Sequence, residues 1–187
     1  MVIAGPSGVG KTSIVHAVLE QLGGHFSIST TTRQRTSGEV DGRDYKFISR
    51  DEFQVMIGDG AFLEYALVFD RDWYGTPRDP VLSALSKGTL VILDIDVQGA
   101  IQVRQNHPLA LLIFIDPPDE TELLRRLTER GRDEEDIIRA RFAEAQHEMQ
   151  LARSSAVFDA FIVNDSLDET VASTCRIITE RREHSCT

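Results

Sequence analysis

The chain has 187 residues, 41% of them hydrophobic, which suits one compact α/β domain with inserted lobes and supplies enough apolar side chain for a core. Its formal net charge of −10 and sequence pI of about 4.9 exclude general binding to DNA or RNA, because a phosphate backbone demands a basic surface, whereas a free nucleotide needs only a local basic pocket. No apolar run is long enough for a membrane span, no signal peptide is visible, and Cys175 and Cys186 suggest neither a disulfide framework nor a metal site, so the expectation is a cytoplasmic protein with reduced thiols.

Val2-Ile3-Ala4 reads as a short buried strand. The stretch Gly5-Pro6-Ser7-Gly8-Val9-Gly10-Lys11-Thr12 follows it directly and fits the phosphate-loop pattern. Glycines let the backbone turn tightly and approach a polyphosphate, and the resulting nest of N–H groups opens a helix whose dipole favours anions. Lys11 is placed to reach β- and γ-phosphates, and the Thr12 hydroxyl to sit on Mg²⁺. Residues 13–22 then carry Ile14, Val15, Val18, Leu19 and Leu22 at helical spacing. A plain glycine-rich turn is the alternative, and the strand–loop–helix order weighs against it. The loop alone names neither the nucleotide nor the reaction.

Residues 26–30 are rich in β formers and read as one strand, 31–42 as a polar loop, and 45–49 as another strand. Ser49 is an N-cap with Glu52 three residues on, opening a helix that carries Phe53, Met56 and Ile57. Residues 61–69 are strand-like and apolar apart from Glu64, 73–77 read as a turn, and 79–86 as a helix with Pro80 in its first turn. Residues 89–94 and 109–115 have the continuous apolar character of buried parallel strands. Residues 120–147 are helical and heavily charged, interrupted at Gly131. A last strand spans 160–163 and an amphipathic helix 167–182. Strands alternating with helices imply a parallel sheet covered on both faces, with ligands at the strand carboxyl ends, where Lys11, Asp94 and Asn164 would converge.

Asp94, ending an apolar strand, has the position of the acidic residue that holds Mg²⁺ directly or through water; capping the next turn is the alternative. A carboxylate in an apolar strand costs several kcal/mol unless satisfied. Guanine offers two adjacent donors, N1–H and the N2 amino group, that match the oxygens of Glu64, and adenine does not; a solvent-facing edge position is the alternative. Arg33 and Tyr45 flank the polar loop, where an arginine fork would grip phosphate, with the Tyr45 and Tyr74 hydroxyls as further donors. Arg125, Arg126, Arg130, Arg132, Arg139 and Arg141 form either a solvated helical face or a mobile lid hinged at Gly131 that closes over a transferred phosphoryl group. The five histidines show no metal spacing.

With these residues in view, the chain resembles the guanylate kinases. The likeness rests on Ser29-Thr30-Thr31-Thr32-Arg33, Gly38-Glu39-Val40-Asp41-Gly42-Arg43-Asp44-Tyr45 and Phe62-Leu63-Glu64-Tyr65. It continues through Trp73-Tyr74-Gly75-Thr76, Leu93-Asp94-Ile95-Asp96-Val97-Gln98-Gly99 and Val163-Asn164-Asp165, essentially the whole chain. The resemblance implies an α/β fold of the P-loop NTPase type, a parallel sheet flanked by helices, in a single domain spanning 1–187. The core would be 1–28, 80–118 and 151–187, the inserted GMP-binding lobe 29–79, and the helical lid 119–150. It implies ATP- and Mg²⁺-dependent phosphorylation of GMP to GDP, in purine nucleotide metabolism. Ser29, Glu64, Thr76 and Asp96 would contact guanine; Arg33, Tyr45 and Tyr74 would hold the GMP phosphate; Gly5 to Thr12 would bind ATP phosphates, with Asn164 near adenine. Lys11, Arg33, Arg126, Arg130 and Arg141 would act on the transferred phosphoryl, and Thr12 and Asp94 on Mg²⁺. One position departs: where the family places a second phosphate-binding arginine three residues after the first, this chain has Thr36. Arg35 is expected to substitute through a small loop adjustment, the alternative being a GMP site with one phosphate contact fewer. Three rivals remain at this stage: a kinase of the same fold with another small phosphorylated acceptor, a non-catalytic guanylate-kinase-like domain that binds protein partners, and a phosphate-loop ATPase or GTPase. The complete phosphate loop and the lobe motifs weigh against them.

Overall fold

The computed structural model describes residues 1–68, 71–129 and 135–185. Strand β1 (Val2–Ala4), fully buried, runs through the glycine-rich loop into α1 (Lys11–Leu22). Then come β2 (His25–Phe26), β3 (Thr30–Thr31), β4 (Lys46–Phe47), α2 (Arg50–Gly58), β5 (Phe62–Val68), β6 (Asp72–Pro77) and α3 (Arg78–Ser86). The rest of the chain is β7 (Val91–Asp94), α4 (Val97–Asn106), β8 (Leu112–Asp116), α5 (Glu120–Glu129), α6 (Glu135–Ser155), β9 (Ala160–Val163) and α7 (Leu167–Ser185).

Five strands form an all-parallel sheet in the order β2-β7-β1-β8-β9. Successive side chains leave a strand on opposite faces, so each strand feeds two cores. Val2, Ala4, Leu93, Leu112 and Phe114 pack with Val97, Ala100 and Val103 of α4 and Met149 and Ala152 of α6. Ile3, Ile92, Ile113 and Ile115 point the other way, onto Ile14, Val15 and Val18 of α1 and Val171 and Ile178 of α7. The carboxyl ends of β1, β7 and β8 therefore open on one rim, which is where the chemistry gathers.

A second, mixed sheet has the order β4-β3-β6-β5. Helix α2 closes it: Phe53 is wholly buried and stacks on Phe62 at 4.5 Å and on Trp73 at 5.8 Å between ring centroids. The expected cap is present, with Ser49 Oγ accepting from the Glu52 N–H and the Glu52 carboxylate accepting from the Ser49 N–H at 2.8 Å. Strand β5 docks on α4, where the Gln102 side chain exchanges hydrogen bonds with both the N–H and the C=O of Tyr65. The outward edge of the small sheet is thereby fixed against the core.

Several expected boundaries change. Residues 26–30 are two strands in different sheets, because Phe26 pairs with Ile92 while Thr30 pairs with Gly75 and Lys46. Residues 73–77 are strand, not turn: Gly75 sits opposite both Tyr65 and Thr30, and a Cβ there would meet Phe62 at 2.9 Å, so this glycine makes room for packing. The strand expected from residue 109 begins at Leu112, and Leu109 is 86% exposed. The strand expected from residue 89 begins at Val91, that over 45–49 shrinks to two residues, α1 starts at Lys11, and α6 continues past His147 to Ser155. Phe69, Arg130, Gly131, Arg132 and Cys186 lie outside the described residues. Among the described residues no helix is long and apolar enough to cross a membrane, and Cys175 is a buried free thiol.

Candidate functional site

A cavity of about 660 Å³ runs along the rim of the core sheet and under the small one. That volume suits a ligand of nucleotide size. Gly5, Ser7, Lys11, Asp94 and Asp96 line it from the core, Ser29, Arg33, Tyr45, Glu64 and Tyr74 from the small sheet and its loops, and Arg141 from α6.

The loop end is built by steric exclusion. Gly10 is the N-cap of α1 at φ 98°, a left-handed conformation, and a Cβ there would stand 2.9 Å from the Asn164 amide. A Cβ on Gly5 would strike the Ile115 carbonyl at 2.5 Å. No side chain caps α1, so its first-turn N–H groups remain available to an anion. Lys11 Nζ donates to the Gly5 carbonyl at 2.6 Å and lies beside that of Pro6 at 3.3 Å, which keeps the ammonium at the loop. Thr12 Oγ1 donates to Asp94 Oδ2 at 3.1 Å, joining the helix start to the end of β7. No group of three His, Cys, Asp or Glu able to hold a metal occurs among the described residues. A hydroxyl and a carboxylate alone suit a hard cation that keeps most of its shell as water and phosphate oxygen, as Mg²⁺ does.

Strand register pairs Glu64 on β5 with Thr76 on β6. Glu64 is 4% exposed, and the Thr76 hydroxyl donates to its Oε1 at 2.5 Å. Burial pushes the Glu64 carboxyl up to about 7, with Asp96 adding to the rise and the Thr76 hydroxyl opposing it. Asp96 caps α4, accepting from the Gly99 N–H at 2.7 Å, yet burial still holds its carboxyl above the usual range. Two carboxylates thus lie near one another, with Lys11 opposing the rise at Asp96. Such a pair is suited to a ligand that presents N–H donors.

Arg33 is held on all sides. Its Nε donates to the Tyr74 hydroxyl at 3.0 Å, Nη1 and Nη2 donate to Glu39 at 3.1 and 2.7 Å, and its Cζ lies 5.5 Å over the Tyr45 ring. The Glu39 bond first, then Tyr74, holds the guanidinium pKa above its usual value, while burial opposes. Burial pushes the Tyr45 hydroxyl up to about 12, so it stays a neutral donor.

Other expected residues stand elsewhere. Asn164 does not line the cavity. It is 7% exposed, its Nδ2 donates to the Val9 carbonyl at 2.7 Å, and its Oδ1 accepts from Thr170 at 3.0 Å. These bonds tie its side chain to the phosphate loop and to the start of α7, whereas the sequence reading expects it beside adenine. Arg35 is exposed and does not line the cavity, whereas Thr36 does, against the expectation that Arg35 takes up the missing contact. Arg126 donates to Glu122 at 2.7 Å and to the Asn164 carbonyl at 3.0 Å, outside the cavity wall. Arg130 falls outside the described residues. Two residues escaped the sequence reading. Glu148 lines the cavity from α6 and is pushed up to about 7, chiefly by burial, with Lys11 opposing and Asp96 and Glu144 adding. Its spacing of seven from Arg141, two helical turns on one face, was the available signal. The other is Glu39, whose carboxyl the Arg33 hydrogen bond holds down at about 2.

The protein-family model described as Guanylate kinase matches residues 1–181. The chain is 46% identical over 184 residues to a guanylate kinase of Thermus thermophilus, covering 98% of this chain and 82% of that one. It is 47% identical over 182 residues to a guanylate kinase of Alkalilimnicola ehrlichii, covering 97% and 88%. The crystal structure of guanylate kinase from Anaplasma phagocytophilum superposes with a TM-score of 0.75 at 30% identity, over 96% of this chain and 83% of that chain.

Proposed function

The chain belongs to the guanylate kinase family, the enzymes that transfer a phosphoryl group from ATP to GMP to give ADP and GDP, and we propose the following division of that work among its residues. The single observation that carries the reading is the one cavity that joins a phosphate loop, a buried pair of carboxylates and a tethered arginine. The Lys11 ammonium and the loop N–H groups bind the ATP phosphates. Thr12 and Asp94 would hold Mg²⁺, which would supply charge neutralisation for the phosphates. Glu64 and Asp96 accept the guanine N–H donors, with Thr76 orienting Glu64 and Ser29 at the base edge. Arg33, Tyr45 and Tyr74 hold the acceptor phosphate, and Arg141 on α6 faces the transferred group. Residues 29–79 act as the GMP lobe and 119–150 as the lid, on the support of the separate small sheet and the α6 wall.

The chemistry asks little of covalent catalysis. Phosphoryl transfer needs two phosphates in line and charge stabilised as it spreads over the transferred oxygens. No residue here needs to serve as general base. Selectivity is electrostatic: guanine brings the adjacent N1–H and N2 amino donors to Glu64 and Asp96, whereas adenine has no such pair and matches the two carboxylates poorly. ADP formation from ATP and Mg²⁺, compared with GMP, dGMP, AMP, CMP, UMP and no acceptor, tests this. Turnover confined to the guanine nucleotides is expected; equal turnover with AMP would refute the role given to Glu64 and Asp96.

A further inference from the structure

We infer that Thr36 is a positioning residue for the acceptor phosphate: it locks Glu39, and Glu39 in turn aims Arg33. This rests on the reading of the Arg33 end of the cavity as the GMP phosphate site. Three bonds converge on one oxygen. Glu39 Oε2 accepts from the Thr36 N–H at 2.8 Å, from the Thr36 hydroxyl at 2.7 Å and from Arg33 Nη1 at 3.1 Å. The other oxygen, Oε1, accepts from Arg33 Nη2 at 2.7 Å. The carboxylate is therefore gripped at one end by Thr36 and grips the guanidinium at the other.

Arginine has five N–H donors in a fixed fork. In Arg33 one is given to Tyr74, one to the Gln34 carbonyl at 2.8 Å and two to Glu39, leaving one N–H on Nη2 with no partner among the described residues. That remaining N–H lies on the Nε side of the fork, next to the Tyr74 hydroxyl. Because the Tyr74 oxygen accepts from Nε, its own O–H is released to donate elsewhere. An arginine N–H and a phenol O–H thus stand side by side as a ready-made pair of donors for one phosphate. Glu39 creates this arrangement by occupying the end of the fork, and the pair is lost if the carboxylate swings away. A threonine at position 36 thus contributes pre-organisation of one arginine where a second arginine would contribute charge. Arg35, exposed and away from the cavity wall, takes no part.

The test is steady-state kinetics on the full chain with the variants Thr36→Val, Thr36→Ser, Glu39→Gln and Thr36→Val/Glu39→Gln. Thr36 is exposed, so the valine is expected to leave the fold intact, and the melting temperature checks this. Thr36→Val should raise KM for GMP about three- to tenfold, the effect of one lost charge-assisted hydrogen bond, with KM for ATP and kcat within about twofold. Thr36→Ser should restore KM, and the valine should add less than about twofold in the Glu39→Gln background, because one pathway cannot be broken twice. An unmoved KM for GMP in Thr36→Val, an equal rise in KM for ATP, or full additivity in the double variant would each overturn the inference. If the parent chain turns over another monophosphate and not GMP, the functional reading fails; the same series is then read on that acceptor, where an unmoved KM overturns the clamp.

Discussion

Replacing Glu64 by glutamine should make the protein more stable at high pH and nearly useless as a GMP kinase. The folded-state carboxyl sits at about 7 against an ordinary 4.5, so the folded protein binds the Glu64 proton more tightly than the unfolded chain does. Glu64 therefore contributes stability that is fully present below about pH 4.5 and lost as pH rises through about 7. The full span is roughly 3 kcal/mol, and most of it is lost between about pH 5 and 8. Glutamine is always neutral, so the gap between variant and parent should widen in the variant's favour by that amount over that interval. Urea unfolding of both proteins at the two pH values measures it directly. On the activity side, glutamine turns one acceptor oxygen into an amide donor facing the guanine donors. kcat/KM for GMP should fall by roughly a hundredfold or more, as the loss of a charged hydrogen bond plus a donor–donor clash implies. Parent and variant curves that run parallel from pH 5 to 8 would refute the account of Glu64 as a desolvated carboxylate awaiting a ligand.

Three further outcomes are expected. Gly99→Ala would place a Cβ 2.6 Å from Glu64 Oε2, so it should raise KM for GMP and cost about 1–3 kcal/mol of stability, both read from kinetics and melting of one variant. Asn164→Ala removes the bond to the Val9 carbonyl and leaves the Thr170 hydroxyl only the longer bond to the Val163 carbonyl, and should raise KM for ATP while lowering stability by about 1–3 kcal/mol; a change in ATP-over-GTP preference without a stability loss would instead return Asn164 to the base. Arg35→Ala should leave KM for GMP and kcat within about twofold, since an exposed side chain off the cavity wall has nothing to lose, and a larger rise would restore its expected role.

What could be read from the chain beforehand divides along the range of the interaction. The phosphate loop, the Ser49–Glu52 cap and strand β9 are set by neighbours a few residues apart, and each stands where local chemistry put it. Glu64 was legible for a different reason: a carboxylate in an apolar strand declares an unmet need wherever the strand goes. Residues 26–30 and 73–77 failed because their state depends on distant partners. Local propensity joins Phe26 to Thr30, but Ile92 and Gly75 pull them into different sheets; Gly75 looks like a turn until Phe53 and Phe62 are packed around it. The same limit explains Asn164 and Thr36. Along the sequence Asn164 follows a strand at the expected rim, and only the contact with Val9, 155 positions away, shows that it faces the underside of the loop. Thr36 reads as an arginine lost. In space it bonds the Glu39 carboxylate that holds the remaining arginine, while Arg35 stands off the cavity wall. A missing charge in a binding motif is therefore better judged by asking what the replacing side chain bonds to than by looking for the nearest like charge.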